Sequence, residues 1–358
     1  MESLSSRLAG LFGREHAVLF GRARSGLLAA VAEWGGAGTP VLMPSNVCPA
    51  VLAAVVGGGG TPQLVAVSPQ SGLADDDRLV AAMAANPAPR GIVMPTHLYG
   101  AWSDYAATCR LAAERGWAVL ENDSLAALPL AGEGVAAIGD AVLVSFGAGK
   151  TIDAGGGGAL LTDDARFAEA LARRAQAWPA VTEADERVET ETTLARRALR
   201  ALGKAALAEE LLTIDLAHLG FAFADAQRER LTGALEGFRE AAARRRDCMD
   251  AWRRALAGLD DRLTVMVTAA PWRLVLRLSD GWRRDEVAAV LRRGGIDVGI
   301  NFPPLTDGYP KLLAGQRHAD ADEWGGAVLN LWLSEDYDDR RIGAAAAILA
   351  RALDSERP

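Results

Sequence analysis

Residues 141–162 read AVLVSFGAGKTIDAGGGGALLT. Two short apolar runs, 141–146 and 158–162, flank a loop that carries Lys150 and four consecutive glycines at 155–158. Apolar runs of this length, bounded by glycine, read as buried strands. Upstream the pattern repeats: strands are expected at 40–43, 62–67, 91–94 and 117–120. Between them, apolar residues at three-and-four spacing predict helices over 27–34, 50–56, 79–85 and 105–115, with another at 166–178 after the last strand. Buried strands alternating with helices imply an α/β fold with a mostly parallel sheet between helices. Ligands of such sheets sit beyond the carboxyl ends of the strands, where Lys150 lies.

The texture changes at residue 183. From there to 256, Glu, Arg, Ala and Leu dominate, which predicts long amphipathic helices bridging to a second unit. Strands at 263–267, 272–278, 296–300 and 328–332, with helices at 284–293 and 338–353, predict a smaller C-terminal α/β domain. The expected division is 1–245 for the large domain and 246–358 for the small one.

Composition narrows the function. The 358 residues carry 46 acidic and 38 basic side chains, a formal charge of −8, which argues against nucleic acid as a partner. The cluster Arg244, Arg245 and Arg246 reads as a solvated helix face. Half the residues are hydrophobic, which excludes intrinsic disorder. No apolar run reaches the ~20 residues of a membrane helix, and the first residues lack a signal-peptide pattern. Cys48, Cys109 and Cys248, odd in number and far apart, form neither a disulfide framework nor a zinc site. A cytoplasmic protein with no membrane partner is expected.

Of the 38 basic residues only Lys150, Lys204 and Lys311 are lysines. Lysine alone among basic side chains loses its proton readily enough to attack a carbonyl and form an imine. Lys150 follows a strand among glycines, whereas Lys204 and Lys311 lie on a polar helix and in a polar loop. Gly149-Lys150-Thr151 imitates the end of a phosphate-binding P-loop, but that motif needs glycine where Val144 stands and a helix where 159–162 read as strand.

Several segments together resemble the DegT/DnrJ/EryC1/StrS family of pyridoxal 5′-phosphate (PLP) sugar aminotransferases. Ser145-Phe-x-x-x-Lys150 followed by Gly-Gly-Ala-Leu-Leu-Thr-Asp carries the likeness first. Further matches are Val41-Leu42-Met43-Pro44, His97-Leu98-Tyr99-Gly100 with Asp104 after it, and Val119-Leu120-Glu121-Asn122-Asp123. In the small domain they are Gly295-Ile296, Phe302-Pro303-Pro304-Leu305 and Val328-Leu329-Asn330-Leu331. The resemblance implies a fold type I PLP-dependent transferase, with Lys150 as the catalytic residue that holds PLP in an internal aldimine. It implies Asp123 as the partner of the pyridine nitrogen, which would keep the ring protonated as an electron sink; a helix N-cap is the other reading of Asp123. Because this chain reads Glu-Asn-Asp where the family reads Glu-Asp, a one-residue slip puts Asn122 at that place. Arg24 and Ser25, opening the first helix after Gly21, fall on phosphate-contacting positions, as does Ser145; surface solvation is the other reading of Arg22 and Arg24. Cys48 replaces the ring-stacking aromatic, and Ala126 stands where the family has Gln or His. The family's asparagine-bearing partner loop has no counterpart between 180 and 230.

The implied reaction moves an amino group from a small-molecule donor to a keto acceptor, a keto-sugar nucleotide or related biosynthetic intermediate. Other PLP chemistry (elimination, cyclisation, retro-aldol cleavage) and a non-catalytic regulator are alternatives on the same fold. A homodimer is implied, and Leu194, Leu199, Leu202 and Leu207 supply an apolar stripe for it.

Overall fold

The apolar runs of the first half form one seven-stranded sheet. The computed structural model describes residues 3–354 except 126–127, 131, 133–135, 280–282 and 335, so Ala126 lies outside the described residues. In chain order the large unit runs α1 (Leu4–Leu11), β1 (His16–Phe20), α2 (Ala23–Trp34), β2 (Pro40–Pro44), α3 (Pro49–Gly57), β3 (Thr61–Val65), α4 (Asp76–Ala85) and β4 (Ile92–Val93). It continues with α5 (Ala106–Arg115), β5 (Ala118–Asn122), β6 (Ala141–Ser145), β7 (Gly158–Thr162) and α6 (Ala165–Gln176). The strand order is β1-β7-β6-β5-β4-β2-β3. All neighbours from β6 to β3 are parallel, and β7 runs antiparallel to both β6 and β1.

Both faces are covered, which is why the strands read as unbroken apolar runs. Leu27, Leu52, Val55 and Leu171 of α2, α3 and α6 pack on one face with Met43, Leu120 and Leu160. On the other, Leu79, Met83 and Ala112 of α4 and α5 pack with Leu42 and Val119. Beside them, Leu8 of α1 meets Val142, Val144 and Leu161. Sequence periodicity missed β1 and α1.

The charged stretch from 183 becomes four helices: α7 (Glu183–Ala201), α8 (Ala205–Glu210), α9 (Leu212–Ala217) and α10 (Asp225–Ala255). Residue 245 falls inside α10. The first half of that helix packs Leu231, Leu235 and Phe238 on the large sheet, and its end packs Met249 and Trp252 on the second. That second sheet has the order β10-β11-β9-β8. It is built from β8 (Leu263–Met266), β9 (Leu274–Leu278), α11 (Arg284–Arg293), β10 (Val298–Gly299), α12 (Ala319–Ala327), β11 (Val328–Leu331) and α13 (Asp339–Asp354). Helix α12, rich in Asp and Gly, has no clear apolar stripe in the sequence. Among the described residues no helix is long and apolar enough to cross a membrane.

One turn joins the two sheets. After β4, Tyr99 adopts φ +63°, and Gly100 has φ +80°. A left-handed tyrosine costs on the order of 1–3 kcal/mol and persists only where surroundings hold it. The hold is visible: the Tyr99 hydroxyl accepts the Trp324 indole N–H at 2.9 Å and the Phe302 amide at 3.2 Å. Before it, His97 Nδ1 accepts the Ser103 amide at 3.3 Å, so Nε2–H donates to Glu121 at 2.8 Å. The other Glu121 oxygen accepts the amides of Ile138 and Gly139. Burial pushes the Glu121 carboxyl up, but His97 and these amides more than offset it and hold it below its ordinary range.

Two outcomes follow for stability. A Cβ on residue 100 would lie 1.7 Å from the Ala270 carbonyl oxygen, so Gly100→Ala should lose roughly 3 kcal/mol or more in chemical denaturation. Because the folded pKa of Glu121 is depressed, its contribution is present above the unfolded value near ~4.3 and is lost as pH falls through the folded one. Glu121→Gln should therefore lower the thermal midpoint at neutral pH, by an amount that shrinks in acid.

Candidate active site

The carboxyl ends of β1, β4, β5 and β6 open into a cleft of about 300 Å³. Its lining includes Arg22, Arg24, Cys48, His97, Asn122, Ser145, Lys150, Glu189 and Phe302, together with glycines 155–157.

Lys150 stands where β6 gives way to a tight loop. Its amide donates to the Gly147 carbonyl at 3.1 Å. Asp153 clamps the loop from inside, accepting the amides of Gly149 (2.7 Å) and Gly155 (2.9 Å), and Gly149 supplies φ +77°. From the long helix, Arg245 donates to the Lys150 carbonyl at 2.9 Å. The Lys150 ammonium has no carboxylate or hydrogen-bond partner among the described residues. Burial lowers its pKa below the ordinary lysine range; Cys48 opposes this, and the Arg273 charge adds to it. The small unit roofs the amine: the Trp272 ring lies 6.0 Å from Nζ and stacks on Phe302 at 5.9 Å and 3°. Arg273 sits between Trp272 (4.4 Å) and Trp332 (3.7 Å). The large-to-small contact thus covers one wall beside Lys150, the one lysine in the cleft lining among the described residues.

Across the cleft, Arg22 and Arg24 flank the start of α2. Both pair with Glu189, which α7 brings in; Arg24 does so with two bonds of 2.7 and 3.0 Å. Burial raises the Glu189 carboxyl and the two guanidiniums more than offset it, so it is held below its ordinary range. Arg22 Nε, Arg22 NH2 and Arg24 Nε are nevertheless buried without a partner. Unmet guanidinium donors at a helix start are suited to an anion. The Ser145 hydroxyl accepts the Gly147 amide at a long 3.4 Å and keeps its own proton for the cleft.

The site residues expected from sequence divide. Lys150, Arg24, Ser145 and Cys48 come together; Cys48 is a half-buried wall at the start of α3. Ser25 does not join them. It is fully buried, and its hydroxyl donates to the Leu219 carbonyl at 2.5 Å and accepts the Phe221 amide, which fixes α2 to the chain after α9. Asp123 also lies outside the lining. Its carboxylate accepts the Leu128 amide at 3.1 Å, capping the 3₁₀ turn Leu128–Leu130. A strand alternates its side chains, so of these two neighbours at the β5 tip it is Asn122 that faces the cleft. Glu189 and Trp272 escaped sequence reading because long-range packing, with no local motif, delivers them; Arg245, expected on a solvated helix face, is instead half-buried against the Lys150 loop.

Known proteins share this fold. The model of the DegT/DnrJ/EryC1/StrS aminotransferase family matches residues 1–348. Over 177 residues the chain is 32% identical to a UDP-N-acetyl-3-dehydro-α-D-glucosamine 3-aminotransferase of Acidithiobacillus ferrooxidans, covering 47% of this chain and 46% of that one. The chain thus spans about half the length of the curated relative it matches. Among solved structures, DesI with its TDP-sugar product superposes with a TM-score of 0.75 at 26% identity, over 98% of this chain and 84% of that one. The aminotransferase TlmJ of Streptoalloteichus hindustanus, 21% identical, shares the fold with a TM-score of 0.77 over 98% of this chain and 89% of its own. With a match that runs nearly end to end, the chain belongs to the DegT/DnrJ/EryC1/StrS aminotransferase family.

Proposed function

We propose that the protein is a PLP-dependent aminotransferase that passes an amino group from a small-molecule donor to a keto-sugar nucleotide or related keto intermediate. The observation that carries this reading is Lys150: an amine with lowered proton affinity and no ion-pair partner, facing unmet arginine donors across one cleft. The residues present fit the cofactor. Lys150 would hold its carbonyl carbon, and Arg22, Arg24 and the Ser145 hydroxyl would hold its phosphate. Bound PLP supplies an electron-withdrawing ring that eases removal of a proton from the amine-bearing carbon.

The chain's own residues account for the rest. Lys150, the amine that faces the cleft, would be the base that takes up that proton and the acid that gives it back. Burial makes it a readier base than a solvated lysine, because it loses its proton more easily. Trp272 and Phe302 shield that side of the Lys150 amine from water. Glu189 preorganises Arg22 and Arg24, and an incoming phosphate shares them or displaces it. Keto-sugar nucleotides as acceptors are supported by the names of the Acidithiobacillus ferrooxidans relative and of DesI.

A cytoplasmic homodimer is the proposed setting. Leu194, Leu202 and Leu207 on the 183–217 helices are 57%, 70% and 53% exposed, more apolar surface than a monomer needs there. PLP-loaded protein should have a dimer mass by light scattering, and a monomer mass for active protein would contradict the dimer.

Lys150→Ala should fold normally by circular dichroism and lose both the borohydride-trapped cofactor and the spectral change on adding amino-acid donors. Lys204→Ala should retain both. Normal multiple turnover by Lys150→Ala would overturn the reading. Arg24→Ala should weaken PLP binding about 10-fold to 100-fold, the loss of one charge-assisted contact, while Lys204→Ala leaves it unchanged.

A further inference from the structure

The lining of the cleft contains one carboxylate among the described residues, Glu189, and that group is engaged by Arg22 and Arg24. The side chain that the β5 tip presents instead is the neutral amide of Asn122, nearly fully buried. Its orientation is determined. Oδ1 accepts the Ser124 backbone N–H at 3.2 Å and the Ser124 hydroxyl. A backbone N–H can only donate, so the atom facing it is the oxygen, and these two donors occupy both of its lone pairs. Nδ2, a donor with no acceptor, has no partner among the described residues and is left to the cleft.

The sheet order sets what would meet it. Arg22 and Arg24 follow β1, Lys150 follows β6, and β5 lies on the side of β6 away from β7 and β1. A pyridine ring with its phosphate arm at the arginines and its carbonyl carbon at Lys150 therefore turns its nitrogen edge toward the tip of β5. A protonated ring nitrogen is a donor and would oppose the amide N–H, leaving two donors unmet in a buried place. An unprotonated ring nitrogen is an acceptor and completes the amide's hydrogen bond.

We infer that Asn122 donates its Nδ2–H to the cofactor's ring nitrogen and holds it unprotonated at neutral pH, in place of a carboxylate that would keep it protonated. This rests on the PLP reading above. Asn122 then tunes the ring: the electron pair freed at the substrate carbon is drawn less strongly to the nitrogen, and prompt proton return by Lys150 matters more. The opposite preference, a protonated ring, needs only the one-residue exchange of amide for carboxylate at this tip.

The test is the ¹⁵N resonance of [¹⁵N]PLP bound to the full-length protein, followed from pH 6 to 9. The wild-type signal should lie at the position of an unprotonated pyridine throughout, and Asn122→Asp should move it to that of a pyridinium. Asp123→Asn should leave it where it is. A pyridinium signal in the wild-type protein would overturn the inference by itself, whether or not Asn122→Asp folds, and leave the cofactor reading standing. Absence of bound cofactor would overturn both.

Discussion

Everything at the site depends on how closely β7 approaches the start of α2. A Cβ on Gly158 would lie 2.3 Å from the Ala23 Cα, and next to it Gly157 bridges Arg22 in a short parallel pairing. Only glycine admits two backbones this near. The approach seats Arg22 and Arg24 beside the loop that carries Lys150, since β7 pairs with β6 on one side and β1 on the other. Two arginines and an amine thereby line one cleft. Of the four glycines at 155–158, Gly158 and its neighbour Gly157 make this contact, while Gly155 and Gly157 take positive φ values of 70° and 96°.

The second constraint is electrostatic. Lys150, Arg245 and Arg273 crowd one wall; burial pulls all three below their ordinary ranges, Arg273 to about 10. Asp153 and Asp297 offset part of the repulsion on the two arginines. Of these three cations only lysine can release a proton and become a nucleophile. The aromatic clamp of Trp272 and Trp332 keeps Arg273 rigid beside it. Arg22 and Arg24 share Glu189; burial lowers Arg22 too, and Glu189 opposes that. The cleft therefore has an end with two arginines and an end whose amine loses its proton more readily than a solvated lysine.

Much of this was legible in the sequence. Apolar run length and glycine bounds located six strands of the large sheet, because burial on both faces removes polar residues from them. Lys150 stood out because arginine replaces lysine almost everywhere else in this chain. The β1 strand was missed because it begins with His16 and follows a charged turn, so its signal came only from pairing with β7. Ser25 and Asp123 were placed by motif position alone. Their side chains are turned by local geometry that a motif does not encode: one step round a helix sends Ser25 to Leu219, and one step along a strand end sends Asp123 to a turn amide. Glu189 came from a helix more than 160 residues away from its arginines, beyond any local pattern.

The central claim is that one lysine of three holds the cofactor. Borohydride reduction of the PLP-loaded protein, proteolysis and peptide mass mapping test it directly. The pyridoxyl mass should appear on the peptide containing Lys150, with fragment ions assigning it to that side chain. Modification on Lys204 or Lys311 at equal or greater yield, with the Lys150 peptide unmodified, would contradict the account.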